Sequence, residues 1–215
     1  MQIRLQQIIP IPLQEKQLAV DSDIWGNNRT FHSGECIKIT AASGRGKTTL
    51  AHFLIGLRTD YSGTLTVQEK NLANFSTAEL AIWRREQLGV VFQDLRLFPH
   101  LTIRENIELK TYLAPRHIGE NTVEWMAEQL GIADLLNTQA GICSYGEQQR
   151  AAIIRALAQP FTWLLLDEPF SHLDNTNQQK AITLIQTVIT QRGAGLILLD
   201  LESDNHFSYH QSFQL

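Results

Sequence analysis

Apolar residues along the chain are grouped in short runs that are typical of buried strands. Residues 163–166 and 196–199 are continuous apolar runs without a polar face. A strand of this kind is covered on both sides, as strands are in a parallel sheet. Further strand-like runs, including a short final run that we interpret as an edge strand, lie at residues 35–40, 64–67, 88–92 and 213–215. The pattern therefore predicts a sheet whose two faces are buried.

Helical stretches separate the predicted strands. The pattern predicts helices at about residues 47–56 and 177–191, and residues 102–158 are mostly helical in pattern. Capping boxes, in which a Ser or Thr is followed three residues later by Glu, indicate where two further helices begin. They are Ser76 with Glu79 and Thr102 with Glu105.

This alternation of strands and helices predicts an α/β domain with a largely parallel sheet. We expect a single domain over residues 1–215. Its core would comprise about residues 1–98 and 160–215, and a helical subdomain would be inserted at about residues 99–159.

Composition narrows the classes of function. The 215 residues are 43% hydrophobic and 19% charged, a balance that can bury a core. The net charge of −4 gives no electrostatic argument for nucleic acid as a partner. The only cysteines, Cys36 and Cys143, allow one disulfide, but reduced thiols of a cytosolic protein are the interpretation that we favour. Neither a signal peptide nor a membrane-spanning run is evident, so we expect any work at a membrane to go through a partner.

A glycine-rich segment between a predicted strand and a predicted helix indicates a phosphate-binding loop. Glycines let backbone N–H groups fold around an anion, and the following helix adds free N–H groups and partial positive charge. Lys47 is predicted to reach the β- and γ-phosphates of ATP, and Thr48 to offer its hydroxyl to Mg²⁺. The loop comprises Ala41, Ala42, Ser43, Gly44, Arg45, Gly46, Lys47, Thr48 and Thr49. The alternative, a turn that binds nothing, is disfavoured by this context.

One position of the loop departs from the usual pattern, because Ala41 stands where glycine is expected. Alanine is the smallest replacement. We expect local strain there and no loss of the site.

Two acidic residues, Asp167 and Glu168, follow the apolar run at 163–166. In open α/β sheets ligands bind at the carboxyl ends of the strands. Asp167 is predicted to hold Mg²⁺, directly or through water, and Glu168 to polarise the attacking water as general base. Two adjacent acidic residues at the start of a loop are more commonly solvated carboxylates without a catalytic role. The phosphate-binding loop predicted upstream is the reason to favour the catalytic interpretation.

Further motifs make the chain resemble the ABC ATPase family over nearly its whole length. The segment 143–150, Cys-Ser-Tyr-Gly-Glu-Gln-Gln-Arg, is similar to the family signature. Phe92-Gln93 resembles the Q-loop, and residues 171–174 resemble the D-loop. Residues 84–107 are most similar to the lipoprotein-release, macrolide-export and cell-division ATPases. This resemblance implies a P-loop NTPase core with an inserted helical subdomain.

The resemblance also implies partners. It implies a head-to-tail homodimer with two ATP molecules between P-loop and signature, in which Ser144, Gly146, Glu147 and Asp174 contribute to binding. Gln93 would contact Mg²⁺ or the attacking water. An integral membrane subunit would hold the chain at the cytoplasmic face of the membrane. It would dock near Leu95, Leu97 and Phe98, for which a place in the core is an equal alternative. From the residues alone, Ser144 and Glu147 form only another capping box.

Three departures from the family pattern indicate slow hydrolysis with ATP binding retained. Tyr145 replaces a signature glycine and either narrows the approach to ATP or points away. Leu198 to Glu202 occupy the place of the switch histidine, and His206 comes later. Loss of such a positioning group costs ~10²-fold in rate. No clear adenine-stacking aromatic lies between Ile8 and Leu18. Trp25 is the nearest candidate, and packing is the role that we favour for it.

These observations lead to three alternative hypotheses about the function. The leading hypothesis is an Mg-ATPase motor for a membrane subunit. The alternative is a nucleotide-gated interaction module in which binding, not turnover, sets the state of a partner. A third hypothesis, a soluble ABC protein of DNA repair or translation, is weak because a long coiled-coil insertion and a second cassette are lacking.

Overall fold

The computed structural model describes residues 1–14, 21–113, 122–201 and 206–215. Its strands are β1 Gln2–Pro10, β2 Asn28–His32, β3 Cys36–Thr40, β4 Tyr61–Val67, β5 Lys70–Asn71, β6 Leu88–Val91, β7 Trp163–Asp167, β8 Gly195–Asp200 and β9 Gln211–Gln214. Its α-helices are α1 Ile11–Gln14, α2 Lys47–Ile55, α3 Thr77–Ile82, α4 Ile103–Leu113, α5 Val123–Gln129, α6 Tyr145–Ala158 and α7 Asn175–Arg192. A π-helical turn, Trp83–Gln87, continues α3.

The central sheet consists of five parallel strands in the order β6-β7-β8-β3-β9. Every residue of β7 is buried, as are the first five residues of β8. This confirms the interpretation of residues 163–166 and 196–199 as strands covered on both faces. The carboxyl ends of β3, β7 and β8 lie side by side, and the loops that follow them carry the candidate site.

A second sheet is antiparallel, with the strand order β2-β1-β4-β5. Of its strands, the sequence predicted only the second half of β4. The alternation in β1 is broken by a register shift between Gln6 and Ile9, where Gln7 has a φ of 51°. The buried residues are therefore Ile3, Leu5, Ile8 and Pro10, and no strict period of two appears in the sequence.

Helices α4, α5 and α6 lie between β6 and β7 in the chain. They pack through buried side chains that include Ile103, Ile107, Met126, Leu130 and Ile153. The fully buried Asn106 closes the turn before α4, because its side chain bonds both the N–H and the C=O of Phe98. These elements form the helical insertion, and the boundaries at about residues 99 and 159 stay a prediction.

Both cysteines are buried and free. No helix in the described part of the chain is long and apolar enough to cross a bilayer.

Candidate functional site

The glycine-rich loop joins the end of β3 to the start of α2. Gly44 and Gly46 have φ of 79° and 103°, in the left-handed region that only glycine adopts readily. A Cβ at Gly46 would lie 3.3 Å from the ring of Trp25. Gly46 is also the N-cap of α2, and no side chain caps that helix start. The free N–H groups of the first turn are therefore available to an anion.

Ala41 does not carry the strain that we expected. It is not among the described residues with positive φ. Its N–H donates to Asp200 O at 3.0 Å, and its carbonyl accepts a hydrogen bond from Lys47 Nζ at 2.8 Å. An ordinary backbone conformation at this position admits alanine, so the departure from glycine costs little.

Lys47 is buried within the loop, with 5% of its surface exposed. Its Nζ lies 3.4 Å from Glu168 Oε1, in addition to its bond to Ala41 O. A further bond to Ala42 O measures 3.5 Å, so two carbonyls and one carboxylate hold the ammonium group at the centre of the loop.

Asp167 ends β7 and is 1% exposed. Its Oδ2 accepts a hydrogen bond from Thr48 Oγ1 at 3.1 Å. Burial raises the pKa of Asp167 to about 6, and the Thr48 hydroxyl partly opposes this shift. The other oxygen, Oδ1, is buried without a hydrogen-bond partner among the described residues. A buried oxygen in this condition suits a cation.

Glu168 has a φ of 48°, which is uncommon for a residue other than glycine. Such a conformation costs on the order of 1 kcal/mol and persists where surrounding contacts impose it. Here the Glu168 N–H donates to Leu199 O at 2.9 Å, and its carbonyl accepts from Gln149 Nε2 at 3.3 Å. Backbone strain at this edge of the sheet therefore lies at Glu168 and not at Ala41.

The carboxylate of Glu168 has two neighbours. Oε1 faces Lys47, and Oε2 accepts a hydrogen bond from Gln93 Nε2 at 3.2 Å. The structure thus brings together Lys47, Thr48, Gln93, Asp167 and Glu168, which the sequence placed in three separate segments.

The signature segment forms a separate part of the candidate site. Ser144 Oγ accepts from Glu147 N, and Glu147 Oε2 accepts from Ser144 N at 2.7 Å, which completes a capping box. Hydrogen bonds to its carboxylate, first from the Ser144 N–H and then from the Ser144 hydroxyl, lower the pKa of Glu147. In this protomer, no hydrogen bond or ion pair described for Ser144, Gly146 or Glu147 reaches residues 41–49.

Gly146 has a close backbone neighbour, because a Cβ there would lie 3.1 Å from His172 O. Asp174 caps α7 by accepting from Asn177 N at 2.8 Å, and this bond lowers the pKa of Asp174. Asp174 is exposed, as Ser144 is, and none of its described hydrogen bonds reaches Lys47 or Thr48.

Tyr145 makes a contact that the sequence did not predict. Its hydroxyl donates to Gln93 O at 3.2 Å, and its ring centroid lies 4.2 Å from that of His172. The side chain thus turns toward the Gln93 segment of its own protomer. Residues 52 positions apart give no sequence signal for such a contact.

The region of the expected switch histidine is only partly described, and Glu202 lies outside the described residues. Leu201 follows β8 and is 45% exposed. Asp200 Oδ2 lies 3.4 Å from Lys38 Nζ, and its Oδ1 accepts from Leu201 N. His206 Nε2 lies 2.8 Å from Gln178 Nε2, and its ring stands edge-on to Phe170.

Two apolar candidates are also placed by the structure. Trp25 is 3% exposed and packs edge-on against Phe53, which is a packing role. Of the residues predicted near a docking surface, Leu95 is buried in the core, Leu97 is partly buried and Phe98 is 58% exposed.

Comparison with known proteins gives a consistent result. The family model described as ABC transporter matches residues 26–171. The lipoprotein-releasing system ATP-binding protein LolD of Shewanella denitrificans is 31% identical over 174 residues, 80% of this chain and 75% of the relative. The thiamine import ATP-binding protein ThiQ of Escherichia coli is 33% identical over 172 residues, 79% of this chain and 72% of the relative.

Solved structures give the same fold. The dimeric bacterial ABC transporter cassette MJ0796 superposes with a TM-score of 0.75 at 25% identity, over 93% of this chain and 88% of that one. A post-hydrolysis dimer of the same cassette, bound to ADP and Pi, superposes with a TM-score of 0.74.

Proposed function

This chain belongs to the ABC transporter family of ATP-binding proteins and is an ATP-hydrolysing subunit, and we propose that it is a Mg²⁺-dependent ATPase that drives a membrane partner. The observation that carries this proposal is the convergence of Lys47, Thr48, Asp167 and Glu168 at one edge of the parallel sheet. Ligands bind at this edge in open α/β sheets.

The loop 41–49 binds the phosphates of ATP. Free N–H groups at the start of α2 and the left-handed glycines form the anion nest. Lys47 contacts the β- and γ-phosphates in exchange for its present carbonyl and carboxylate partners. Its burial keeps the charge little screened, which strengthens its attraction to phosphate.

The donor set at Thr48 and Asp167 fits Mg²⁺, which prefers oxygen ligands. The unpartnered Asp167 Oδ1 is the buried atom that supports this fit. Thr48 and Asp167 would hold the ion, and Gln93 would contact it or the attacking water. When bound, Mg²⁺ neutralises charge on the β- and γ-phosphates.

Glu168 acts as general base. Its carboxylate is engaged by Lys47 and Gln93 in the structure. When Lys47 turns to the phosphates, Glu168 Oε1 is freed to accept a proton from water. The amide of Gln93 keeps the other oxygen in place, so the base stays oriented.

Two copies form a head-to-tail dimer around two ATP molecules. The α6 start, with Ser144 and Gly146, meets the γ-phosphate held by the other copy, because its first-turn N–H groups attract an anion. Glu147 braces Ser144, and Asp174 lies at the same interface. Supporting the dimer, solved cassettes of similar fold are described as dimeric.

The membrane partner binds the face that includes the exposed Phe98, which places the chain at the cytoplasmic side of the membrane. LolD and ThiQ, named for lipoprotein release and thiamine import, match with similar identity. The role in transport that both names share supports the proposed transporter subunit.

Leu201, at the expected switch position, favours a second function in which nucleotide binding gates the partner and turnover is slow. Phosphate release by the purified chain, with and without its co-purified membrane subunit, separates the two. We expect release that requires Mg²⁺, is abolished by chelation and rises with the partner. ATP binding without release in either condition would favour the gating function, and no ATP binding would refute both.

A further inference from the structure

The segment that carries Gln93 has an unusual backbone. Leu95 and Arg96 have φ of 55° and 51°, in the left-handed region that residues other than glycine seldom adopt. Their N–H groups donate to Phe92 O and Asp94 O, which tightens the turn. Strained conformations of this kind persist where surrounding contacts hold them. The segment 93–96 therefore requires support from elsewhere in the fold.

Helix α6 supplies that support at both ends of the segment. The buried Arg155 donates from Nη1 to Arg96 O at 2.6 Å and from Nη2 to Leu95 O. At the helix start, Tyr145 Oη donates to Gln93 O at 3.2 Å. One helix thus binds three carbonyls of a four-residue segment.

Tyr145 is also held on its other side. Its ring packs on His172, and His172 Nδ1 lies 2.9 Å from Ser171 Oγ. Ser171 Oγ in turn donates to the carbonyl of Glu168 at 3.2 Å. Tyr145 therefore lies between the segment of Gln93 and the loop that follows Glu168.

We propose that Tyr145 is a positioning residue for Gln93. Its hydroxyl fixes the Gln93 backbone so that the amide of Gln93 stays on the Glu168 carboxylate, while Arg155 holds the far end of the segment. The proposal rests on the proposed function, in which Gln93 and Glu168 act on the attacking water. The proposal assigns a function to the Tyr145 side chain, which stands at a position where the family has glycine. Restoring glycine should therefore slow hydrolysis.

Three variants test this on the full-length chain. Tyr145→Phe removes the hydroxyl and keeps the ring, and Tyr145→Gly removes both. Tyr112→Phe is the matched control, because Tyr112 is 80% exposed in α4. Melting temperature, ATP affinity, turnover number and hydrogen exchange of the amides in residues 94–98 are measured for each.

Loss of one neutral hydrogen bond should raise amide exchange in residues 94–98 by about 3- to 10-fold in Tyr145→Phe. Turnover should fall by a similar factor and further in Tyr145→Gly, while ATP affinity stays near wild type in both. The melting temperature should stay near wild type in Tyr145→Phe, which keeps the ring on His172. Tyr112→Phe should match the wild type throughout. A purely structural role would instead lower the melting temperature of Tyr145→Phe and leave its turnover unchanged.

Unchanged exchange in both Tyr145 variants would overturn the proposal, as would a Tyr145→Gly variant that hydrolyses ATP as fast as wild type or faster. A wild-type chain that binds no ATP would overturn the proposed function. In that case the exchange measurement still decides whether Tyr145 holds the Gln93 segment.

Discussion

The candidate site has two parts that differ in how completely one chain builds them. At the edge of the parallel sheet, Lys47, Asp167 and Glu168 are 5%, 1% and 9% exposed and contact their neighbours directly. At the start of α6, Ser144 is exposed and its described hydrogen bonds stay within the first turn of its own helix. A single copy therefore preorganises the part that we propose to bind phosphate and metal, whereas the start of α6, the proposed second anion contact, lies exposed.

The buried part should give the largest effect. Glu168→Gln keeps the shape of the side chain and removes the base, so turnover should fall by about 10²- to 10⁴-fold with ATP affinity retained. In Mg-ATP the variant should accumulate as an ATP-bound dimer by size-exclusion chromatography. Exposed Glu69→Gln is the control and should behave as wild type. A Glu168→Gln chain that hydrolyses ATP normally would remove Glu168 from the chemistry.

Lys47→Ala should weaken ATP binding by about 10- to 100-fold, because a buried charge-assisted contact to phosphate is lost. Titration with a fluorescent ATP analogue measures the dissociation constant. Lys180→Ala, at an exposed position on α7, controls for the loss of one positive charge. Equal nucleotide affinity in the Lys47 variant and the wild type would refute the phosphate-loop assignment.

The segment after β8 carries the expected switch position. If Leu201 stands at the switch position, Leu201→His should raise steady-state phosphate release by about 10-fold, less than the ~10² attributed to a full positioning group. Leu57→His is a matched control, since Leu57 is 44% exposed and Leu201 is 45% exposed. No gain in the Leu201 variant would show that the alignment of this loop is wrong.

The exposed part should give the smallest effect on a single chain. Ser144→Ala and Ser76→Ala each remove the Ser of a complete capping box, so each should lower the free energy of unfolding by about 1 kcal/mol in denaturant titrations. Only Ser144→Ala should also weaken the ATP-dependent dimer, measured in the Glu168→Gln background. Equal dimerisation by both variants would show that Ser144 acts only as a helix cap.

Local signals explain which features the sequence predicted. The strands β7 and β8 are short and apolar on both faces, and the P-loop has a fixed spacing. Each of these features can therefore be recognised from a few consecutive residues. The capping boxes at Ser76 and Ser144 are equally local, and both are present. Predicted strands at residues 35–40 and 88–92 correspond to β3 and β6 for the same reason.

Features that depend on contacts between distant residues were missed. Strand β1 was not predicted because the irregularity at Gln7 breaks its alternation of buried and exposed residues. The strained φ of Glu168 and the bond from Tyr145 to Gln93 are imposed by packing, which leaves no pattern in the sequence. The expectation of strain at Ala41 was wrong. Glycine is usual at this position in the family, but that preference does not fix the backbone conformation of a particular chain.

A mixing experiment tests most directly whether the two parts of the site come from different copies. In the Glu168→Gln background, chains carrying Lys47→Ala and chains carrying Ser144→Arg should each remain monomeric in Mg-ATP. Their equimolar mixture should form a dimer that retains ATP, because a head-to-tail pair joins one intact loop to one intact α6 start. If the mixture stays monomeric while the Glu168→Gln parent dimerises, the two parts are not shared between copies and the account is contradicted.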